Sequence, residues 1–161
     1  MRRTVAVSLL VLVASSGSTA FAQLGAALDA REAQAIVAGC AAHAATKKQS
    51  HAIAVVDNGG QTVASLRMDG NAYGIMDFSV AKARAAAAWG FSTARMIDAA
   101  RETPGFGQAP HIVTVAGGVP VWSADGKARI GAVGVSGEAA DDDSACAEAG
   151  IRAAGLRSSR L

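Results

Sequence analysis

Three side chains in the first half of the sequence have the chemistry to bind a small acid. Arg67 ends a predicted strand, Asp69 follows it in a turn, and Lys82 lies on a predicted helix. A guanidinium binds a carboxylate through two parallel hydrogen bonds, so Arg67 and Lys82 could hold a propionate or another small carboxylate. The alternative is a structural ion pair between Arg67 and either Asp69 or Asp77 at the strand-to-helix corner.

The three histidines are the candidate metal ligands. His43 lies at the edge of the apolar face of the first predicted helix, where it could reach a ligand or form a structural hydrogen bond. His51 begins a strand near a loop and is expected at the surface. His111 opens a predicted strand that leads to Gly117 and Gly118, and it could face a groove there.

Glycine-rich phosphate-binding patterns are missing from the sequence, which contains neither G-x-G-x-x-G nor a Walker sequence. Gly117 and Gly118 are therefore interpreted as a flexible turn beside a cleft. Consecutive acids at 141–143 could chelate a cation, but a charged N-terminal turn of the last helix is the simpler interpretation.

Hydrophobic periodicity and turn residues predict nine elements that would position these side chains. The predicted helices span 29–46, 75–89, 93–101 and 142–154, and the predicted strands span 51–57, 61–67, 111–116, 119–123 and 129–136. Asn58-Gly59 predicts a type I′ hairpin turn, which needs a positive φ at both residues. Strands joined by hairpins, with helices between and after them, predict an α+β fold with an antiparallel sheet.

The N-terminus has the features of a secretory signal peptide. Two arginines precede a short apolar run, and Ala20-Phe21-Ala22 forms an A-x-A cleavage site. Cleavage near Ala22 would leave 139 of the 161 residues, with 13 basic and 13 acidic side chains, so the formal charge of +2 belongs to the leader. We therefore expect a periplasmic or secreted single domain (23–154) with a loose tail (155–161), without nucleic-acid binding or stable membrane insertion.

The sequence resembles the GlcG/HbpS family of small haem-binding or haem-degrading-like domains over about residues 28–152. The likeness is carried by an ordered set of short segments at 54–60, 67–70, 81–84, 104–105, 117–121, 131–137 and 143–150. This resemblance implies a profilin-like sandwich, in which helices flank a central antiparallel sheet, and it implies a homo-oligomer.

The two cysteines, Cys40 and Cys146, form a candidate disulfide. An even cysteine count in an oxidising compartment favours pairing, and the family resemblance implies that the first and last helices lie side by side. The alternative is a pair of buried free thiols.

The resemblance makes haem the expected cofactor, with His43 and His111 as candidate iron ligands and Arg67, Lys82, Gly117 and Gly118 as candidate ligand-binding residues. One axial histidine is sufficient to bind haem. Aromatic residues form only 4% of the chain, which favours a shallow or intersubunit site over a deep pocket. The predicted function is an exported haem-binding or haem-sequestering accessory protein. The alternative is a cofactor-independent enzyme, or a binding protein, for a small carboxylate.

Overall fold

The computed structural model describes residues 27–161, and the predicted leader (1–22) lies outside this range. The helices are α1 (Ala30–Lys47), α2 (Tyr73–Trp89), α3 (Thr93–Glu102) and α4 (Ala140–Ala153), with a short 3-10 helix at Phe106–Gln108. The strands are β1 (Ala52–Asp57), β2 (Thr62–Arg67), β3 (Gly118–Trp122) and β4 (Arg129–Ser136). No helix in this range is long and apolar enough to cross a membrane.

The four strands form one antiparallel sheet in the order β2-β1-β4-β3. Helices α1 and α4 cover one face, where Ile53 and Val55 of β1 join the main apolar core. Helix α2 covers the other face, where Val56 packs against Ala83 and Ala86. Because both faces are covered, five of the six β1 residues are buried. The predicted α+β sandwich with an antiparallel sheet is confirmed.

Helix α1 begins at a reciprocal cap and is joined to α4 by a disulfide. Asp29 accepts a hydrogen bond from the Glu32 amide (2.7 Å), and the Glu32 carboxylate accepts one from the Asp29 amide (3.1 Å). The predicted bond between Cys40 and Cys146 is present in the structure. The two cysteines are 106 positions apart in the sequence.

Glycines allow α1 and α4 to approach closely. A Cβ atom on Gly150 would overlap the Ile36 carbonyl oxygen, and one on Gly39 would overlap the Ala153 side chain. The two backbones therefore lie closer together than any larger residue at these positions would permit.

Substituting Gly150→Ala should lower the free energy of unfolding by about 1–3 kcal/mol, because the added methyl group would force the two helices apart. Gly74→Ala is the matched control, since a Cβ on this helical glycine would meet nothing within 4 Å. The control should be neutral, or stabilising by up to about 1 kcal/mol, because alanine favours helix. Urea unfolding followed by circular dichroism measures both, and equal midpoints for the two variants would contradict the close contact.

The hairpin between β1 and β2 exists, but the predicted type I′ turn at Asn58-Gly59 is wrong. The left-handed residue is Gly60, with a φ of 77°. The Asp57 side chain organises the turn by accepting hydrogen bonds from the amides of Gly59 (2.8 Å) and Gln61 (2.9 Å). The aspartate that ends β1 thus sets the conformation of the loop.

Three further predictions are corrected around β3: a strand, a turn and the loose tail. Residues 111–116 form no strand, and Gly118 begins β3 instead of forming a turn between two strands. The residues after Gly155, predicted to be loose, lie against the end of β3. Trp122 and Arg157 exchange two backbone hydrogen bonds (2.8 and 3.1 Å), and Leu156 is buried.

Candidate functional site

Lys82, predicted as a ligand-binding residue, is instead engaged inside the protein. Its side chain is 1% exposed, and its ammonium group pairs with the Asp143 carboxylate at 2.8 Å. It also donates to the Val135 carbonyl at 2.9 Å and lies 4.9 Å from the centre of the Phe78 ring. These partners satisfy the buried charge, so Lys82 connects α2 to β4 and α4.

The Asp143 carboxylate is the centre of this buried network. Besides Lys82, it accepts hydrogen bonds from His51 Nδ1 (3.1 Å) and from the Glu138 amide (3.2 Å). His51 was expected at the surface but is fully buried. The prediction is wrong because the His51 imidazole, just before β1, is hydrogen-bonded to the buried Asp143 carboxylate on α4. Asp143, interpreted from the sequence as part of a charged helix terminus, is 2% exposed.

Gly117 and Gly118 lie directly against Lys82, where there is no room for a Cβ atom. A Cβ on Gly117 would be 2.9 Å from the Lys82 ammonium, and one on Gly118 would be 2.5 Å from the Lys82 carbonyl oxygen. These glycines therefore allow the middle of α2 and the start of β3 to approach each other. Neither they nor Lys82 line the clefts described below.

Arg67 lies on the edge strand β2, and its guanidinium donates to the Asn71 carbonyl. The Asn71 side chain in turn donates to Ser50 Oγ at 2.8 Å, so the two side chains fix the loop between β2 and α2. Within residues 27–161 Arg67 forms no ion pair with Asp69 or Asp77. The structure does not bring Arg67 and Lys82 together at one ligand.

The two histidines predicted as iron ligands have different surroundings. The Nε2 atom of His43 on α1 is buried and has no hydrogen-bond partner in the described part of the chain. His111 is exposed and lines an open cleft. The His111 imidazole is therefore open to solvent, whereas the Nε2 atom of the partly buried His43 is out of reach of a molecule arriving from solvent.

His111 has an unusual backbone conformation, with a φ of 61°. It follows Pro110 in a turn that is closed by a hydrogen bond from the Ile112 amide to the Ala109 carbonyl (3.3 Å). Proline followed by a residue with positive φ is the pattern of a type II turn, whose second central position favours glycine or asparagine. A histidine there costs about 1–2 kcal/mol in backbone energy, and such outliers concentrate at functional sites.

The turn that carries His111 is held by an aromatic cluster at the end of α2. The Trp89 indole donates a hydrogen bond to the Pro110 carbonyl at 3.0 Å. The Trp89 ring packs edge-on against Phe106 and Phe91, at centroid distances of 5.0 and 6.4 Å. His111 therefore lies on a turn that is held in place by the hydrogen bond from Trp89 and by the packed aromatic rings around that tryptophan.

Two adjacent clefts share His111 and Arg84. One has a volume of about 290 Å³ and extends along the turn that contains Gly60. The other has a volume of about 500 Å³ and extends along α2; its further lining residues are Asp77, Val80, Ala81, Ile112 and Val113. Together they offer an imidazole, a guanidinium and an apolar wall on one surface. The guanidinium Nε atom of Arg84 already donates to the Gly60 carbonyl (3.0 Å), which fixes its position and leaves its terminal nitrogens for a ligand.

Arg84 was not singled out from the sequence as a ligand-binding residue, although it lies only two positions after Lys82. Residues two positions apart on a helix point to nearly opposite sides, so Lys82 faces the sheet and Arg84 faces solvent. The buried positions 79, 82, 83 and 86 recur at three- and four-residue intervals and define the face of α2 toward the sheet, and Arg84 lies outside that set.

Several solved structures have the same fold as this chain. A double mutant of HbpS from Streptomyces reticuli is 25% identical, with a TM-score of 0.74 over 90% of this chain and 97% of that one. Protein ORFY of Klebsiella pneumoniae is 26% identical, with a TM-score of 0.75 over 89% and 97% of the two chains. PduOC in complex with haem is 20% identical, with a TM-score of 0.74 over 83% and 99%. No curated protein matches the chain.

The fold and the cleft thus define a small three-layer α+β domain with an accessible histidine on one outer face. The family model described as haem degrading protein HbpS-like matches residues 28–152. This chain belongs to the HbpS-like family.

Proposed function

We propose that this protein binds haem in the His111 cleft and acts as an exported haem-sequestering accessory protein. Membership of the HbpS-like family and the haem complex of PduOC support haem as the ligand. The observation that carries the proposal is the accessible His111 imidazole, held in a strained turn beside Arg84 and an apolar wall.

The residues of the cleft fit the chemistry of haem. His111 would supply one axial nitrogen, which is sufficient for ligation. Arg84 would hold a propionate, because guanidinium groups bind carboxylates with two hydrogen bonds. Val80 and Val113 would contact the macrocycle. Bound haem would supply redox-active iron, while the chain supplies binding and orientation.

A shallow site suits capture and release better than permanent retention. The cleft is open, and its apolar wall consists of four aliphatic side chains, beside the charged Asp77 and Arg84; the four are Val80, Ala81, Ile112 and Val113. Such walls bury less apolar area than a pocket lined by aromatic rings, so the affinity depends on the histidine and the arginine. We propose that self-association covers the exposed side of the haem.

Export is supported by the leader-like residues 1–22 and by the disulfide, which persists in oxidising compartments. The mature protein would reside in the periplasm or outside the cell. N-terminal sequencing of the exported protein should find cleavage near Ala22, and an intact Met1 would contradict this part of the proposal.

A hemin titration of the purified mature protein tests the binding site. The wild type should show a saturable shift of the Soret band with defined stoichiometry. His111→Gly should abolish the shift yet leave the protein at least as stable in urea, because glycine relieves the positive φ. Arg84→Gln should weaken binding by about tenfold, as expected for the loss of a charged hydrogen bond.

His43→Ala is the matched control, since His43 Nε2 is buried away from the cleft. This variant should retain the Soret shift. A shift that persists in His111→Gly and disappears in His43→Ala would leave haem binding intact but refute the cleft. A wild-type titration without saturation would refute the proposed function itself.

A further inference from the structure

A third cleft lies outside the edge strand β3. It has a volume of about 460 Å³ and shares no lining residue with the two clefts around His111. Its floor is Val119 and Pro120, and its walls are the start of α3 on one side and residues 158–160 on the other. The C-terminal segment that was predicted to be loose therefore forms one wall of this cleft.

The backbone of β3 offers no free amide donor that would let a peptide strand pair here. The Gly118 amide donates to Thr93 Oγ1 at 2.8 Å, and Trp122 is already paired with Arg157. Pro120, between them, has no N–H group. Because strand addition depends on main-chain hydrogen bonds, the cleft suits a small molecule better than an extended peptide.

The side chains of the cleft combine positive charge with flat apolar surface. Phe91 and Trp122 contribute aromatic rings, and Arg95 and Arg160 contribute guanidinium groups. Glu148 is the one acidic side chain of the lining. The lining therefore carries a net positive charge, and it has no histidine, cysteine or methionine to ligate a metal.

Both guanidinium groups are available to an incoming anion. Arg160 has no carboxylate within 4 Å in the described range, whereas Arg95 lies 3.7 Å from Asp98 and 3.5 Å from Glu102. All three of these α3 side chains are more than half exposed, and such exposed pairs contribute little free energy. Glu148 is oriented toward Arg152, 3.5 Å away, which reduces its repulsion of an anion.

We infer that this cleft binds a small aromatic carboxylate. The ring of the ligand packs against Phe91 and Trp122 over Pro120, and its carboxylate is held between Arg95 and Arg160. The serine hydroxyls at 158 and 159 lie on the same wall and add hydrogen-bond donors. Nothing in this inference depends on haem binding at His111.

Benzoate is the probe for this site, with benzamide and acetate as matched ligands that lack the charge and the ring, respectively. Titration of the mature protein, monitored by amide chemical shifts, should give saturable benzoate binding with a Kd of about 1 mM or tighter. Arg95→Gln and Arg160→Gln should each weaken binding by about tenfold. Benzamide and acetate should each bind at least about tenfold more weakly than benzoate.

Arg101→Gln is the control variant, because Arg101 is an exposed α3 arginine outside the cleft. It should leave the benzoate Kd unchanged, as should His111→Gly. An absence of saturable binding would overturn the inference. So would equal weakening by Arg101→Gln, or acetate binding as tight as benzoate binding, since these would indicate a non-specific charge effect or no contribution from the rings.

Discussion

Replacing Lys82 with methionine should lower the free energy of unfolding by about 3–5 kcal/mol, because it removes one partner of a buried ion pair. Methionine fills a similar volume but leaves the Asp143 carboxylate buried at 2% exposure without its cation. The remaining donors to that carboxylate, His51 Nδ1 and the Glu138 amide, lie at 3.1 and 3.2 Å and do not replace a full charge.

The double variant Lys82→Met/Asp143→Asn separates the penalty of an unpaired charge from the loss of packing. Asparagine keeps an acceptor for His51 and for the Glu138 amide, while no charge remains in the core. The double variant should therefore be more stable than Lys82→Met alone. Urea denaturation of the wild type, the two single variants and the double variant gives the coupling free energy. Additive losses would show that the pair does not act as a unit.

Removing the disulfide is the second large effect expected. The variant Cys40→Ala/Cys146→Ala should lose about 2–5 kcal/mol, because the bond closes a loop that spans 106 positions and restricts the unfolded chain. Both cysteines are fully buried, so alanine at both positions also leaves a small cavity. The midpoint of unfolding in urea is the measurement.

The wild-type protein reduced while unfolded, and then refolded with a reductant present, is the matched control. It keeps both sulfur atoms and lacks only the bond, so its loss of stability reports the cross-link without the cavity. A midpoint equal to that of the oxidised protein would contradict the stabilising role of the disulfide. Reductant added to the folded protein should act slowly, because the bond is buried.

Local signals in the sequence were sufficient for most of the fold. The helix predicted at 29–46 matches α1 (Ala30–Lys47) to within one residue at each end, and the strand predicted at 129–136 has the bounds of β4 (Arg129–Ser136). The strand prediction failed where apolar residues line a cleft instead of pairing in the sheet. Ile112 and Val113 suggested a strand, but they lie beside α2 in the cleft and pair with no strand.

The candidate sites were less predictable, because their geometry depends on long-range contacts. Lys82, His51 and Asp143 come from three separated segments, and no spacing rule shows that they meet. His111 was identified as a candidate, but the strain at its backbone was not. The residues of the third cleft lie near the start of α3, on β3, on α4 and in the C-terminal segment, which only the tertiary structure brings together.

The position of Asp143 and Cys146 on α4 has a consequence for how the chain acquires its structure during synthesis. Until this last helix emerges, the Lys82 ammonium has no counter-charge and the Cys40 thiol has no partner. A nascent or truncated chain that ends before Asp143 therefore has two defects in its core, one of charge and one of cross-linking. We therefore expect the domain to complete its folding only after α4 has been synthesised, because the ion pair and the cross-link both wait for that helix.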